Sequence, residues 1–123
     1  MVNISPFRGL RYNPERICDL STVVTAPYDR IDEPEQAAYY DLSPYNFVRI
    51  IRGLHTDHDG AGNNVYTRAN CYKQTWLAEG AMIQDPEPAL YVLEQQFTTP
   101  NGETHTRRGL TAALRLTRFD EGE

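Results

Sequence analysis

Hydrophobic and polar positions along the chain predict two helices and several short strands. The clearest helix covers Asn64 to Glu79, where apolar residues recur at helical spacing on one stripe. A second helix covers Gln36 to Leu42, with Asp32 or Glu33 able to accept hydrogen bonds from its first amides and Pro34 in its first turn. Alternating or β-branched runs predict five strands, at Pro6–Tyr12, Leu20–Val24, Asn46–Arg52, Ala89–Phe97 and Glu103–Thr117.

The segments between these elements favour a mixed fold. The polar, glycine-containing stretch from Gly53 to Asn64 is typical of a mobile surface loop. Asn101-Gly102 predicts a hairpin turn, and Gly109 predicts a bulge in the returning strand. The order β-β-α-β-α-β-β therefore predicts an α+β fold, with a mixed, largely antiparallel sheet, two main helices and a C-terminal β-hairpin.

Length and charge limit the function classes. The chain has 123 residues, of which 40% are hydrophobic, and this is enough for one core, so we expect a single domain over residues 1–123. Twelve basic residues against 17 acidic residues give a net charge of −5. This balance argues against nucleic acid as a partner, because proteins that bind phosphate backbones usually present a basic face.

The distribution of apolar residues and cysteines indicates a cytoplasmic protein without a membrane partner. No apolar run approaches the roughly 20 residues of a membrane-spanning helix, and the first residues lack the apolar region of a signal peptide. Cys18 and Cys71 are too few for a disulfide scaffold and fit a reducing compartment. Both are expected to be inert thiols.

Five segments, taken in their order and spacing, resemble the start of a known family. They are Phe7-Arg8-Gly9-Leu10-Arg11-Tyr12, Val24-Thr25-Ala26-Pro27-Tyr28-Asp29, Ser43-Pro44-Tyr45-Asn46, Trp76-Leu77-Ala78-Glu79-Gly80 with Asp85-Pro86-Glu87-Pro88-Ala89-Leu90-Tyr91, and Arg107-Arg108-Gly109. The chain resembles the amino-terminal part of the prokaryotic family called domain of unknown function 1015.

The resemblance implies a nucleotide-dependent phosphotransferase activity for longer members of that family. Their later part carries a Gly-His-His-Arg segment similar to the nucleotide-contacting motif of the ParB/sulfiredoxin-like fold, which includes free-serine kinases. This sequence does not contain the segment. We therefore expect an incomplete or free-standing part of a longer family architecture.

The turn Pro27-Tyr28-Asp29-Arg30 is the strongest candidate for a ligand site, since ligand loops often follow strands. Asp29 can act as a base or position a substrate, or it can hydrogen-bond its own turn with Tyr28 packed beneath it. Arg11 lies near this turn if the first two strands pair. It can then bind the ligand, or it can form an ion pair with Asp29. Arg108 can bind a phosphate or carboxylate, and the alternative is a charged strand rim.

The loop from His55 to Asp59 holds histidines and aspartates within five residues, but their spacing matches no standard metal or calcium site. We predict no metal here and interpret the segment as a solvated loop. The sequence names no cofactor.

Two functions remain open. One is a non-catalytic or incomplete module that assembles with itself or with a partner that supplies the missing family region. The alternative is the substrate-binding part of a nucleotide-dependent small-molecule phosphotransferase, similar to a serine kinase, with a small-molecule ligand near Arg11, Asp29 and Arg108.

Overall fold

The computed structural model describes residues 3–118. They form two compact units. The terminal unit combines residues 3–9 with residues 84–118, and the central unit comprises residues 10–83. Each unit is described by itself below.

Three helices shape the central unit: α1 (Glu33–Leu42), the one-turn helix α2 (Val48–Ile51) and α3 (Val65–Ala78). Two 3-10 turns precede them, at Leu20–Thr22 and Tyr28–Arg30. The Asp32 side chain caps α1 by accepting a hydrogen bond from the Glu35 amide at 2.9 Å. This local bond satisfies one of the amides that a helix start leaves unpaired.

Six short strands complete the described chain: β1 (Ile4–Ser5), β2 (Leu10–Tyr12), β3 (Met82–Gln84), β4 (Tyr91–Thr98), β5 (Thr104–Thr111) and β6 (Ala113–Leu114). They pair as three two-stranded sheets, β1 with β6, β2 with β3, and β4 with β5. The first and third of these sheets are antiparallel. Gly102, with φ of 87°, turns the chain between β4 and β5.

Trp76 of α3 is the centre of the core in the central unit and is 2% exposed. Three tyrosine rings surround it at centroid distances of 6.0 to 6.1 Å, those of Tyr12, Tyr45 and Tyr72. The Tyr12 hydroxyl donates to the Tyr45 carbonyl oxygen at 2.7 Å, and burial raises the pKa of this phenol. These three tyrosines and Trp76 therefore act mainly as packing groups.

A hydrogen-bonded cluster organises the terminal unit. The Tyr91 hydroxyl accepts from the Gly9 amide and donates to Oδ2 of Asp85, both at 2.7 Å. The Arg8 Nε donates to the Asp85 carbonyl oxygen at 2.7 Å, and the ring of Phe7 lies 5.0 Å from that of Tyr91. Two segments that the family resemblance singled out thus meet in one structural cluster.

The predicted α+β class is confirmed, with two main helices, antiparallel strands and a C-terminal hairpin. The prediction of a bulge at Gly109 is wrong, because Gly109 stands opposite Leu93 in an uninterrupted register. The strand predicted for Glu103–Thr117 ends earlier, since β5 ends at Thr111 and only β6 follows it within the described chain.

Two predicted strands are wrong. Leu20–Val24 contains a 3-10 turn, which Asp19 caps by accepting from the Ser21 amide at 2.9 Å. Asn46–Arg52 contains α2, and the fully buried Asn46 explains the difference. Its side-chain oxygen accepts from the Val48 amide at 3.0 Å, which favours a helical turn over an extended chain.

Candidate functional site

An open cavity of about 890 Å³ lies in the central unit. Its walls come from the Tyr28–Arg30 turn, the first turns of α1 and α3, and the chain that leaves α2. The apolar lining residues are Ile51, Leu54 and Val65, and the polar and aromatic ones are Tyr28, Glu33, Gln36, Arg52, His55 and Tyr66, with Gly53 among them. The volume lies within the range of roughly 300–1,000 Å³ that is usual for small-molecule sites.

Side chains of α1 form hydrogen bonds with the backbone of the segment that follows α2. Gln36 of α1 donates from Nε2 to the carbonyl oxygens of Arg52 at 2.6 Å and of Gly53 at 3.4 Å. The Tyr40 hydroxyl, one turn further along α1, accepts from the Leu54 amide at 3.2 Å. These bonds hold the segment that carries Arg52 and Leu54 against α1.

Several polar groups of the lining have no protein partner within residues 3–118. The Arg52 guanidinium and the Glu33 carboxylate make neither an ion pair nor a side-chain hydrogen bond there. Tyr28 and Tyr66 are 63% and 81% exposed, so their side chains are accessible to a ligand. The cavity therefore offers an anion site, a cation site and two aromatic faces that a ligand can occupy.

His55 reaches the cavity from a loop that Asp59 organises. Nδ1 of His55 lies 3.3 Å from Oδ2 of Asp59, and the other oxygen of that carboxylate lies 2.8 Å from NH1 of Arg68. The Arg68 hydrogen bond holds the pKa of Asp59 well below its usual range, with help from the Thr56 hydroxyl at 2.8 Å. The Asp59 carboxylate therefore lies between the Arg68 guanidinium and the His55 ring.

Two of the four predicted site residues lie in one turn. Tyr28 lines the cavity, and Asp29 follows it in the same 3-10 turn with its side chain exposed. The Arg30 amide closes this turn on the Pro27 carbonyl oxygen at 2.9 Å, without the Asp29 carboxylate. A role for either residue in binding stays a prediction.

The other two predicted residues lie on strands outside the cavity lining. Arg11 is part of β2 in the central unit. Arg108 is part of β5 in the terminal unit, where its Nε lies 2.7 Å from Oε2 of Glu94 on the neighbouring strand. The Arg108 side chain is 74% exposed, so this ion pair contributes little to stability. Binding roles for both arginines also stay predictions.

Sequence reasoning missed three residues of the cavity, namely Glu33, Arg52 and Tyr66. The sequence predicts only a capping role for Glu33, and it places Arg52 at the end of a strand. The available signal was Tyr66, which directly follows Val65 and so lies off the apolar stripe of α3. A large aromatic residue on the polar side of a helix is more typical of a binding surface than of a core.

In the part of the chain that the structure describes, no three histidine, cysteine, aspartate or glutamate side chains come together as metal ligands. No helix among those residues has the length and apolar character needed to span a membrane.

A comparison with family models matches nearly the whole chain. A model of the family described as "Protein of unknown function (DUF1015)" matches residues 4–123. The chain belongs to this family. The DUF1015 match covers both units, including the cluster around Tyr91 and the whole cavity lining. No curated protein and no solved structure matches the chain.

Proposed function

We propose that this DUF1015 chain is a binding module for a small molecule and that it acts with a further region or partner rather than as a complete enzyme. The observation that carries the proposal is the cavity of about 890 Å³, where the side chains of Tyr28, Glu33, Arg52 and Tyr66 make no ion pair or hydrogen bond within residues 3–118. A cytoplasmic location and one domain over residues 1–123 belong to the same proposal.

The lining favours a ligand with a planar ring and a negative charge. Tyr28 and Tyr66 present ring faces, Arg52 presents a guanidinium fork that suits a carboxylate or phosphate, and Ile51 with Val65 supplies apolar contact. Asp29, next to Tyr28, is proposed to help position the ligand.

A second candidate function is the substrate-binding part of a nucleotide-dependent phosphotransferase. The presence of Arg52 and two tyrosines in one cavity lining supports this function, because a nucleotide carries both a planar base and phosphates. In this alternative, Arg11 and Arg108 are proposed to contribute to binding as well.

Titration calorimetry and two-dimensional NMR with benzoate, ATP, ADP and L-serine test these functions. Binding of benzoate or of a nucleotide, with signal changes at Tyr28, Arg52 and Tyr66, is expected from the module. Phosphate transfer from ATP to serine by the chain alone would instead show a complete enzyme. Absence of heat and of signal changes for all four compounds at millimolar concentration contradicts both proposals.

Two variants assign the ligand to the cavity. Arg52→Ala is expected to weaken binding of the anionic ligand about tenfold, since charge-assisted hydrogen bonds contribute roughly 1.5–3 kcal/mol. Arg16→Ala, which removes an exposed arginine outside the lining, is the matched control and should leave affinity unchanged.

A further inference from the structure

The β4–β5 hairpin leaves the outer edges of both its strands open within residues 3–118. β4 pairs only with β5 within the described chain, and every residue of β5 is exposed. Three apolar side chains of β4 are also exposed, Val92 by 72%, Leu93 by 54% and Phe97 by 48%. A two-stranded ribbon of this kind is at best marginally stable, and an open apolar edge is a template for pairing with another strand.

The hairpin register shows which backbone groups face the open edge. The Thr99 amide donates to the Glu103 carbonyl oxygen at 2.9 Å, which makes Thr99 and Glu103 a hydrogen-bonded pair. Because such pairs alternate along antiparallel strands, Leu93, Gln95 and Phe97 direct their amides and carbonyls toward β5. The backbone groups of the residues between them point outward, namely those of Val92, Glu94, Gln96 and Thr98.

We propose that β4 pairs with β4 of a second copy of this chain, antiparallel and about a two-fold axis at Gln95. A two-fold axis perpendicular to the sheet keeps each side chain on its own face, so the axis must pass at a residue rather than between two residues. With the axis at Gln95, Glu94 stands opposite the partner's Gln96 and Val92 opposite the partner's Thr98. These are the residues whose backbone groups face outward, so all of them find partners.

The side chains also complement each other in this register. Leu93 stands opposite the partner's Phe97, and symmetry repeats this contact on the other side of the axis. These pairs lie at the positions without backbone hydrogen bonds, where opposing side chains are closest. The amide of Gln96 can bond the partner's Glu94, and the two Gln95 side chains meet at the axis. No like charges stand opposite one another.

Charge disfavours the register with its axis at Glu94 and two registers of the β5 edge. An axis at Glu94 places this carboxylate opposite its own copy. On β5, an axis at Arg107 or Arg108 brings two guanidinium groups together. Like charges directly opposite destabilise strand pairing, and the β4 edge with its axis at Gln95 avoids these repulsions.

Cysteine cross-linking tests the register directly. In a background with Cys18→Ser and Cys71→Ser, Gln95→Cys places two thiols opposite each other, with Cα atoms about 4.5 Å apart. This separation permits a disulfide, so mild oxidation should give a covalent dimer. The matched control is Gln96→Cys on the same strand, whose Cα atoms would lie about 8–9 Å apart, too far for a bond.

Charge variants test the same axis without cross-linking. In Gln95→Glu, the new carboxylate faces Arg107 within its own hairpin, so the hairpin should be preserved. Across the axis the carboxylate faces its own copy, so dimerisation should weaken by up to about fivefold. Gln96→Lys faces the partner's Glu94 and should strengthen dimerisation. Sedimentation velocity over a range of protein concentrations measures both effects, with circular dichroism to verify folding.

Three results would overturn the proposal. The first is a monomer at every concentration tested, which would show that β4 does not pair with a second copy and that its edge is available to another segment or another protein. The second is equal cross-linking of Gln95→Cys and Gln96→Cys. The third is a dimer whose affinity changes in the same direction in Gln95→Glu and Gln96→Lys, since a different surface would then carry the contact.

Discussion

Gly9 and Tyr91 illustrate how single residues in the family-like segments maintain the terminal unit. A methyl group at Gly9 would lie 2.7 Å from both the ring carbon Cζ and the hydroxyl oxygen of Tyr91. The ring cannot retreat without losing its bonds to the Gly9 amide and to Asp85. Glycine is therefore required at this position because of a close approach, and its role concerns packing rather than binding.

Gly9→Ala is expected to lower the free energy of unfolding by about 1–3 kcal/mol, because overpacking forces the Tyr91 ring to move. Urea denaturation followed by tyrosine fluorescence and circular dichroism measures the change. Gly62→Ala is the matched control, since nothing lies within 4 Å of a methyl group there. Equal stability of the two variants would contradict the close contact.

Asp59 makes the stability of the central unit depend on pH. Its pKa is lowered in the folded state by Arg68, so its stabilising contribution is complete above the unfolded value of about 3.9 and is lost as the pH falls below it. Asp59→Asn is therefore expected to be less stable than the natural chain at pH 7, and the difference should disappear as the pH falls through about 4 and lower.

Thermal unfolding at several pH values measures this dependence. Asp57→Asn removes a carboxylate of the same loop that makes no ion pair or hydrogen bond within residues 3–118, so it should follow the natural chain throughout. A constant difference between Asp59→Asn and the natural chain from pH 7 to pH 3 would exclude the Arg68–Asp59 pair as its cause.

At the scale of elements, local signals explain the helices that the sequence predicted. Asn64 accepts from the amides of Tyr66 and Thr67, and the Thr67 hydroxyl accepts from the Asn64 amide at 2.8 Å, which forms a capping box. Gly80, with φ of 73°, ends the last turn of α3. α2 depends on distant contacts as well as on the local Asn46–Val48 bond, since Asn46 donates to the carbonyl oxygen of Thr22 at 2.9 Å.

Asn64→Ala is expected to destabilise α3 by about 1 kcal/mol, because two amides lose their acceptor. Circular dichroism at 222 nm during thermal unfolding follows the helix. Asn64→Ser retains a side-chain acceptor at the cap and should recover most of the loss. If Asn64→Ser is as unstable as Asn64→Ala, the cap is not the source of the effect.

At the scale of the whole molecule, the two units differ in how they bury apolar surface. The central unit encloses Trp76, Val23 and Val48 at 2% exposure or less. In the terminal unit, β5 is exposed along its whole length. Local stability follows such differences, because opening an exposed ribbon costs less burial than opening a packed core.

Amide hydrogen exchange of the monomer is therefore expected to be slower in α3 around Trp76 than in β4 and β5. NMR-detected exchange at low protein concentration measures both units in one sample. A hairpin protected as strongly as α3 under these conditions would contradict the assignment of the core to the central unit. The backbone amide of Asn101 in the hairpin turn, which makes no hydrogen bond within residues 3–118, provides the fast-exchange reference in the same spectrum.

The sequence by itself determined the α+β class, α1, α3, the hairpin turn and the family, because caps, helical periodicity and Asn-Gly chemistry act between residues that are close in the chain. It also predicted Tyr28 as a candidate binding residue, since a turn with polar and aromatic residues has a local signature. The sequence predicts the pairing of β4 with β5, but it does not show that this pairing runs without a bulge at Gly109.

Only the tertiary structure decided that Asn46–Arg52 contains a helix, and that Arg52, Glu33 and Tyr66 share a cavity. A short apolar run such as Phe47–Ile51 satisfies helical and extended periodicities alike, so the choice falls to the buried hydrogen bonds of Asn46 with Thr22 and Val24. The cavity joins three segments from different parts of the chain, and such long-range proximity comes from the packing of α1 and α3 against α2 rather than from any local pattern.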